Sequence, residues 1–191
     1  MTVVHHSHLI LGGARSGKSR YAIAQAQEIG GSAAFVATAR ALDPDMATRI
    51  ARHRVERPRG WTTLEEPHEI VAAARRAAAS HDGVVIDCVT LWVANLMERG
   101  ADDTAVLAAA DDLAKLMRER LASLVVVSNE VGAGVHPPTA LGRRFGDLLG
   151  FVNQRLASAA DRVTLMVAGI PLTVKDAPLP SAPHDRAHEA P

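Results

Sequence analysis

Residues 12–19, Gly12-Gly13-Ala14-Arg15-Ser16-Gly17-Lys18-Ser19, constrain this chain more than any other stretch. A short apolar run, Leu9-Ile10-Leu11, precedes them, and a helix-like segment, Arg20 to Ile29, follows. Strand, glycine-rich turn and helix, with the spacing G-x-x-x-x-G-K-S, is the order of a phosphate-binding P-loop. The glycines let the turn close until successive backbone N–H groups point at one spot, where a phosphate can sit. The helix beyond adds its free N-terminal N–H groups and the positive end of its dipole. Lys18 reaches the β- and γ-phosphates of a nucleotide, and the Ser19 hydroxyl is placed to ligate Mg²⁺. The competing reading, a glycine turn with a solvated lysine, accounts for neither the spacing nor the flanking strand and helix.

Such a turn needs a sheet behind it. Further apolar runs occur at Ala33–Ala37, Gly83–Asp87, Leu124–Val127 and Arg162–Val167, with one more expected at Ile170–Val174. Trp61–Glu65 adds a short strand. Helical segments separate them: Asp43 to about Arg54, Glu69 to His81, Thr90 to Met97, Thr104 to Leu121 and Thr139 to Ala160. Apolar strands alternating with helices imply an α/β fold of the P-loop NTPase type, a mostly parallel sheet with helices on both faces. At 191 residues the chain suits one domain, expected over 1–175. From Asp176 onward Pro, Ala and His dominate, and a disordered tail over 176–191 is expected. Met1 to Ser7, with His5 and His6, reads as a mobile polar arm rather than a metal site.

Lys+Arg and Asp+Glu both total 21, so nothing in the overall charge suggests a nucleic-acid partner or a polybasic membrane anchor. The lone cysteine, Cys88, fits a reducing cytoplasm. No apolar run approaches the roughly 20 residues of a membrane span, and the N-terminus lacks a signal-peptide pattern. The expectation is a cytoplasmic protein that does not insert into membranes.

In an open α/β sheet, ligands sit beyond the carboxyl ends of the strands. Ala37, Thr38 and Ala39 leave one strand there, and Asp87 ends another. An apolar strand ending in Asp, paired with a P-loop, is the Walker B pattern that holds Mg²⁺. Glu130 leaves a third strand, and here a functional carboxylate and one capping a neighbouring turn are equally supported. Met46, Ile50 and His53 share one face of the Asp43 helix. His53 is either a core-facing histidine or, among Arg49, Arg52, Arg54, Arg57 and Arg59, a polyphosphate-facing one. The residues alone leave that even. Asp147-Leu148-Leu149-Gly150 and Thr173-Val174-Lys175-Asp176 echo regulatory-GTPase motifs, but neither sits in the right context.

Several stretches together resemble the bifunctional adenosylcobinamide kinase/adenosylcobinamide-phosphate guanylyltransferases of cobalamin biosynthesis. They are the P-loop, Val36-Ala37-Thr38-Ala39, Met46 through Pro58 with its His53-Arg54-x-x-Arg57-Pro58, and Ile86 through Trp92. Ser128-Asn129-Glu130-Val131-Gly132-x-Gly134 and Val152 through Ala157 complete the set. The resemblance implies phosphorylation of adenosylcobinamide with ATP or GTP, then transfer of GMP from GTP to adenosylcobinamide phosphate. It implies that His53 is the nucleophile that takes the GMP, with Lys18 offsetting phosphate charge. It also implies nucleotide contacts from residues 12–19, Ala37, Thr38, Ala39, Arg54, Val55, Glu56, Arg57, Glu65 and Asp87, with Mg²⁺ on Ser19 and Asp87. A homotrimer is implied by the resemblance alone. Two other readings are another small-molecule P-loop kinase without guanylyl transfer, and a nucleotide-binding module without transfer chemistry.

Overall fold

The apolar runs pair edge to edge into one sheet. The protein is described by a computed structural model covering residues 5–176. The strands are β1 (Ser7–Gly12), β2 (Ala33–Ala37), β3 (Thr62–Glu65), β4 (Gly83–Asp87), β5 (Ser123–Val127), β6 (Arg162–Val167) and β7 (Ile170–Asp176). Their order is β3-β2-β4-β5-β1-β6-β7. All pairings are parallel except β6 with β7. That last pair is a hairpin closed by Ala168 and Gly169, both at positive φ, the conformation a two-residue hairpin turn requires.

Parallel strands need crossovers, and helices supply them. They are α1 (Lys18–Ile29), α2 (Pro44–Val55), α3 (Ile70–Ala78), α4 (Val89–Glu98), α5 (Asp103–Glu119) and α6 (Ala140–Ala159). Alternate residues of each strand face opposite sides of the sheet. Leu9, Val84, Ile86, Leu124 and Val126 pack with α3, α5 and α6 in the larger core. Ile10, Phe35, Val85, Val125 and Val127 pack on the other face with Ala22 and Ala26 of α1. The expected α/β sheet with helices on both faces is thus the observed one.

Two element boundaries near the limits of the described residues differ from expectation. Ser7 belongs to β1 rather than to the polar arm, and so does His8, just ahead of the apolar run Leu9-Ile10-Leu11. Polarity hid them in the sequence, but both are satisfied inside the sheet. The Ser7 N–H donates to Asp161 Oδ2 at 2.9 Å, and His8 Nε2 lies 2.8 Å from Thr164 Oγ1. Asp176 likewise lies in β7, accepting from Arg162 Nε at 2.7 Å. The arm's Met1–Val4 and the tail's residues 177–191 lie outside the described residues.

Burial holds the His8 imidazole down to about 4, against 6.5 for a free histidine, with Arg162 and His6 adding to the effect. A depressed histidine means that the unfolded chain binds the proton and the native one does not. Stability contributed by this group is therefore complete above pH 6.5 and falls as the pH drops towards 4, by about 3 kcal/mol in total. Denaturation of the wild type and His8→Asn between pH 7 and 4.5 checks this. The variant should show the smaller loss of stability over that range, and equal slopes would refute the assignment.

Candidate active site

All six parallel strands leave their carboxyl ends at one edge of the sheet, and the polar residues singled out in the sequence gather there. At β1 the turn depends on glycine. A Cβ on Gly12 would lie 2.6 Å from the Met166 carbonyl oxygen and 2.7 Å from Ser16 Oγ. Gly17, at φ +94°, lets the chain bend directly into α1. It contributes no capping side chain, so the first N–H groups of α1 remain open to an anion. The helix starts at Lys18, two residues earlier than the sequence suggested, which brings Lys18 and Ser19 into that first turn. Gly13, Ala14 and Arg15 form the exposed outer bend, whereas Ser16 and Lys18 are buried beneath it. Lys18 Nζ folds back over the loop, donating to the Gly13 carbonyl at 2.6 Å. Burial lowers its proton affinity below the ordinary lysine range, and Asp87 opposes that only in part.

Across from the P-loop stands α2. Asp43 caps it, accepting from the Met46 N–H at 2.7 Å, and Pro44 opens it. No residue of this helix is buried. Its apolar stripe faces a cleft instead of the core: Met46, Arg49, Ile50 and His53 line one wall. Ser19, Asp87 and Cys88 line the other side, with Phe35 and Ala37 between. The enclosed part of the cleft is about 60 Å³, room for a phosphate-sized group or a few waters, so a nucleoside must extend towards its open side. His53 therefore faces the cleft and is not a core histidine. Its Nδ1 lies 3.4 Å from Glu56 Oε2.

The other expected contacts are distributed unevenly. Ala37 and Ala39 line the cleft, but Thr38 between them is fully buried. Its hydroxyl donates to the Cys88 carbonyl and accepts from the Cys88 N–H, each at 2.8 Å. Arg54 and Glu65 are ion-paired with each other at the cleft mouth. Arg57 lies over the Phe35 ring, 4.2 Å from its centroid, and its Nε is buried without a partner. Val55 is 86% exposed and turns away from the cleft. Glu130 is exposed, and its Oε1 accepts from the Gly132 N–H at 3.0 Å, so it does cap its own turn. Residues 147–150 lie within α6 and 173–176 within β7, so neither GTPase-like fragment sits at a parallel strand's exit.

Sequence reasoning missed two supports. Phe35 reads only as core, although strand alternation turns it towards the cleft beneath Arg57. Asn95, a lone amide in the apolar stretch of α4, is a visible signal. Its Nδ2 donates to the Thr38 carbonyl at 2.9 Å and to that of Pro67 at 3.1 Å, fixing the β2 exit.

Asp87 and the Ser19 hydroxyl sit side by side at the cleft floor, with Lys18, His53 and Arg57 nearby. Burial pushes the Asp87 carboxyl above the usual carboxylate range, and the Ser19 hydroxyl, His53 and Lys18 oppose it. Two hard oxygens beside a phosphate loop fit Mg²⁺, which is commonly held by one or two protein oxygens, water and substrate phosphates. Among the described residues there is no cluster of three or more acidic, His or Cys ligands that would make an all-protein cage. Nor is any described helix long and apolar enough to cross a membrane.

A parallel sheet, a glycine turn feeding an uncapped helix and an aspartate two strands away define a P-loop nucleotide-binding protein of the α/β class. A solved ATPase domain shares this fold, with a TM-score of 0.50 and 13% identity over 86% of this chain and 70% of that one. Residues 8–174 match the sequence model of the family described as cobinamide kinase / cobinamide phosphate guanyltransferase, and the chain belongs to that family. It is 44% identical to the bifunctional adenosylcobalamin biosynthesis protein CobP of Pseudomonas aeruginosa, over 90% of this chain and 98% of that protein. It is 38% identical to the bifunctional adenosylcobalamin biosynthesis protein CobU of Escherichia coli, over 87% of this chain and 98% of the relative.

Burial raises the Cys88 thiol to about 12, with the neighbouring Asp87 adding to the effect. Against 9.0 for an ordinary thiol, that leaves about 1,000-fold less thiolate near pH 8. Cys88 should therefore alkylate far more slowly than a small-molecule thiol in native protein and at the ordinary rate in denatured protein. Timed iodoacetamide labelling read by mass checks this.

Proposed function

We propose that this protein phosphorylates adenosylcobinamide with ATP or GTP, then transfers GMP from GTP to adenosylcobinamide phosphate, giving adenosylcobinamide-GDP. The observation that carries the reading is His53, which α2 places in one cleft with Ser19, Asp87 and Arg57 at the end of the P-loop. Family membership supplies the two reactions, and the cleft supplies groups suited to each.

In the guanylyl step the neutral imidazole attacks the α-phosphorus of GTP in line. A P–N bond forms, the bond to the bridging oxygen breaks, and pyrophosphate leaves with the electron pair. Glu56 beside Nδ1 favours the tautomer with its proton there, which leaves the Nε2 lone pair free to attack. Lys18 and Arg57 offset charge developing on the phosphate oxygens and the leaving group. The phosphate of adenosylcobinamide phosphate then displaces imidazole from the phosphoramidate. In the kinase step the acceptor hydroxyl takes the γ-phosphoryl group, and the P-loop N–H groups and Lys18 hold the triphosphate in place. Ser19 and Asp87 would hold Mg²⁺, which would neutralise charge on the β- and γ-phosphates. Ala37, Ala39, Arg54 and Glu65 complete the nucleotide's surroundings. This proposal includes one catalytic domain over 1–175, a cytoplasmic location supported by the lone cysteine, and a homotrimer supported by family resemblance only.

Two variants test it. His53→Ala should acquire no GMP on incubation with GTP and Mg²⁺, as read by intact mass, and should lose guanylyl transfer by orders of magnitude. Kinase activity should persist, because γ-phosphoryl transfer needs no protein nucleophile. The wild-type adduct should be acid-labile, since protonating the phosphoramidate nitrogen makes imidazole a good leaving group. One GMP on His53→Ala would show that another residue is the nucleophile. Asp87→Asn should shift the Mg²⁺ dependence of both activities to higher concentration; a lower melting temperature with an unchanged metal titration would mean that Asp87 only supports the fold.

A further inference from the structure

Four carboxylates sit at or just beyond the carboxyl ends of the parallel strands: Glu65, Glu66, Asp87 and Glu130. Three have other work. Glu65 is paired with Arg54. Glu66 accepts from the N–H groups of His68 and Glu69, each at 3.0 Å. Asp87 lies beside the Ser19 hydroxyl, and the Lys18 charge is near enough to favour its ionised form. Glu130 has no ion-pair partner among the described residues.

Its position is fixed relative to the P-loop. Strand β5 lies between β1 and β4, the strands that carry the P-loop and Asp87. Pairing with β1 continues past the end of β5: the Ser128 N–H donates to Ile10 O at 3.0 Å, and the Glu130 N–H to Gly12 O at 3.1 Å. The first glycine of the P-loop thus holds the Glu130 backbone. Asn129, just before it, is clamped from two sides. Its N–H donates to Thr90 Oγ1 at 2.7 Å, and its carbonyl accepts from Asn153 Nδ2 at 3.0 Å. Through Oε1 the carboxylate is tied to the Gly132 N–H, and Oε2 has no hydrogen-bond partner among the described residues.

The two reactions differ in what they ask of a base. Neutral imidazole attacks through a lone pair, and a phosphate acceptor is already an anion. Only the kinase acceptor, an alcohol, must lose a proton as it attacks. We propose that Glu130 is the general base of the kinase step, an inference that rests on the kinase half of the proposed function. As the acceptor oxygen bonds to the γ-phosphorus, its proton passes to Glu130 Oε2. The bond from the γ-phosphorus to the bridging oxygen breaks, the nucleoside diphosphate leaves with the electron pair, and Glu130 returns the proton to solvent.

The test is Glu130→Gln in the full chain. Glutamine keeps an oxygen to accept from the Gly132 N–H, so the turn cap survives and only the proton acceptor is removed. Kinase kcat with adenosylcobinamide should fall by about 100-fold or more, the usual scale for a lost general base. Covalent GMP attachment from GTP should stay within twofold of wild type. Kinase turnover within a few-fold of wild type would overturn the proposal and leave Glu130 as a turn cap. An equal fall in both activities would also overturn it, because a disturbed P-loop affects both steps. Wild-type kinase activity measured alongside tests the underlying reading separately: its absence refutes the kinase assignment itself, whatever the variant does.

Discussion

The placement of β1 between β5 and β6 in parallel is the constraint on which the rest of the structure depends. Gly12 passes so close to the Met166 backbone that no side chain fits between them, and the P-loop springs from that contact. Because β1 to β6 are parallel, every connection among these six must cross the sheet through a helix, and all six end on the same edge. The chain carries no net charge with which to attract a polyphosphate. Charge recognition has to be local, from backbone N–H groups and the few cations that this edge collects.

That edge is stitched by buried polar groups. Thr38 exchanges hydrogen bonds with the Cys88 backbone and is held from behind by Asn95, which ties the β2 exit to the β4 exit. Thr90 lies 3.4 Å from Ser128 Oγ and accepts from the Asn129 N–H, which ties β4 to β5. Asn153 reaches up from α6 to the Asn129 carbonyl. Each of these groups would cost roughly 1–3 kcal/mol if left unpaired, so they hold one arrangement of loops rather than many. The side chains are small, and their work is to place the backbone around a ligand.

Much of this was legible in the sequence because the signals were local. The P-loop spacing, the apolar runs and the Asp43-Pro44 helix start are set by neighbours in the chain, and the structure reproduces them. The outer limits of β1 and β7 were not legible. Ser7, His8 and Asp176 are polar by composition, and only their partners Asp161, Thr164 and Arg162, far along the chain, make them strand residues. The two readings of His53 could not be separated from periodicity, since an apolar stripe on a helix looks the same whether it faces a core or a cleft. Thr38 reads as a pocket residue because its place at a strand end is visible in sequence, whereas the direction of its hydroxyl depends on Cys88, 50 residues away.

The unburied helix α2 gives the cleft its chemical character. An amphipathic helix ordinarily lays its apolar face on the sheet, and here that face stands off and turns Met46, Ile50 and His53 towards the P-loop. The Asp43 cap closes its first turn, and the helix is tied to the sheet at its C-terminal end, by Arg54 on Glu65 and by Arg57 on Phe35 just beyond. The wall thus formed presents an imidazole, where a helix packed on the core could present only an edge. On the proposed reading this lets one triphosphate site serve two chemistries. The P-loop fixes the phosphates once; an imidazole from the α2 wall addresses the α-phosphorus, and an alcohol beside the β5 exit addresses the γ-phosphorus. The reactions then differ in nucleophile and in the need for a base, and the fold requires no second nucleotide site.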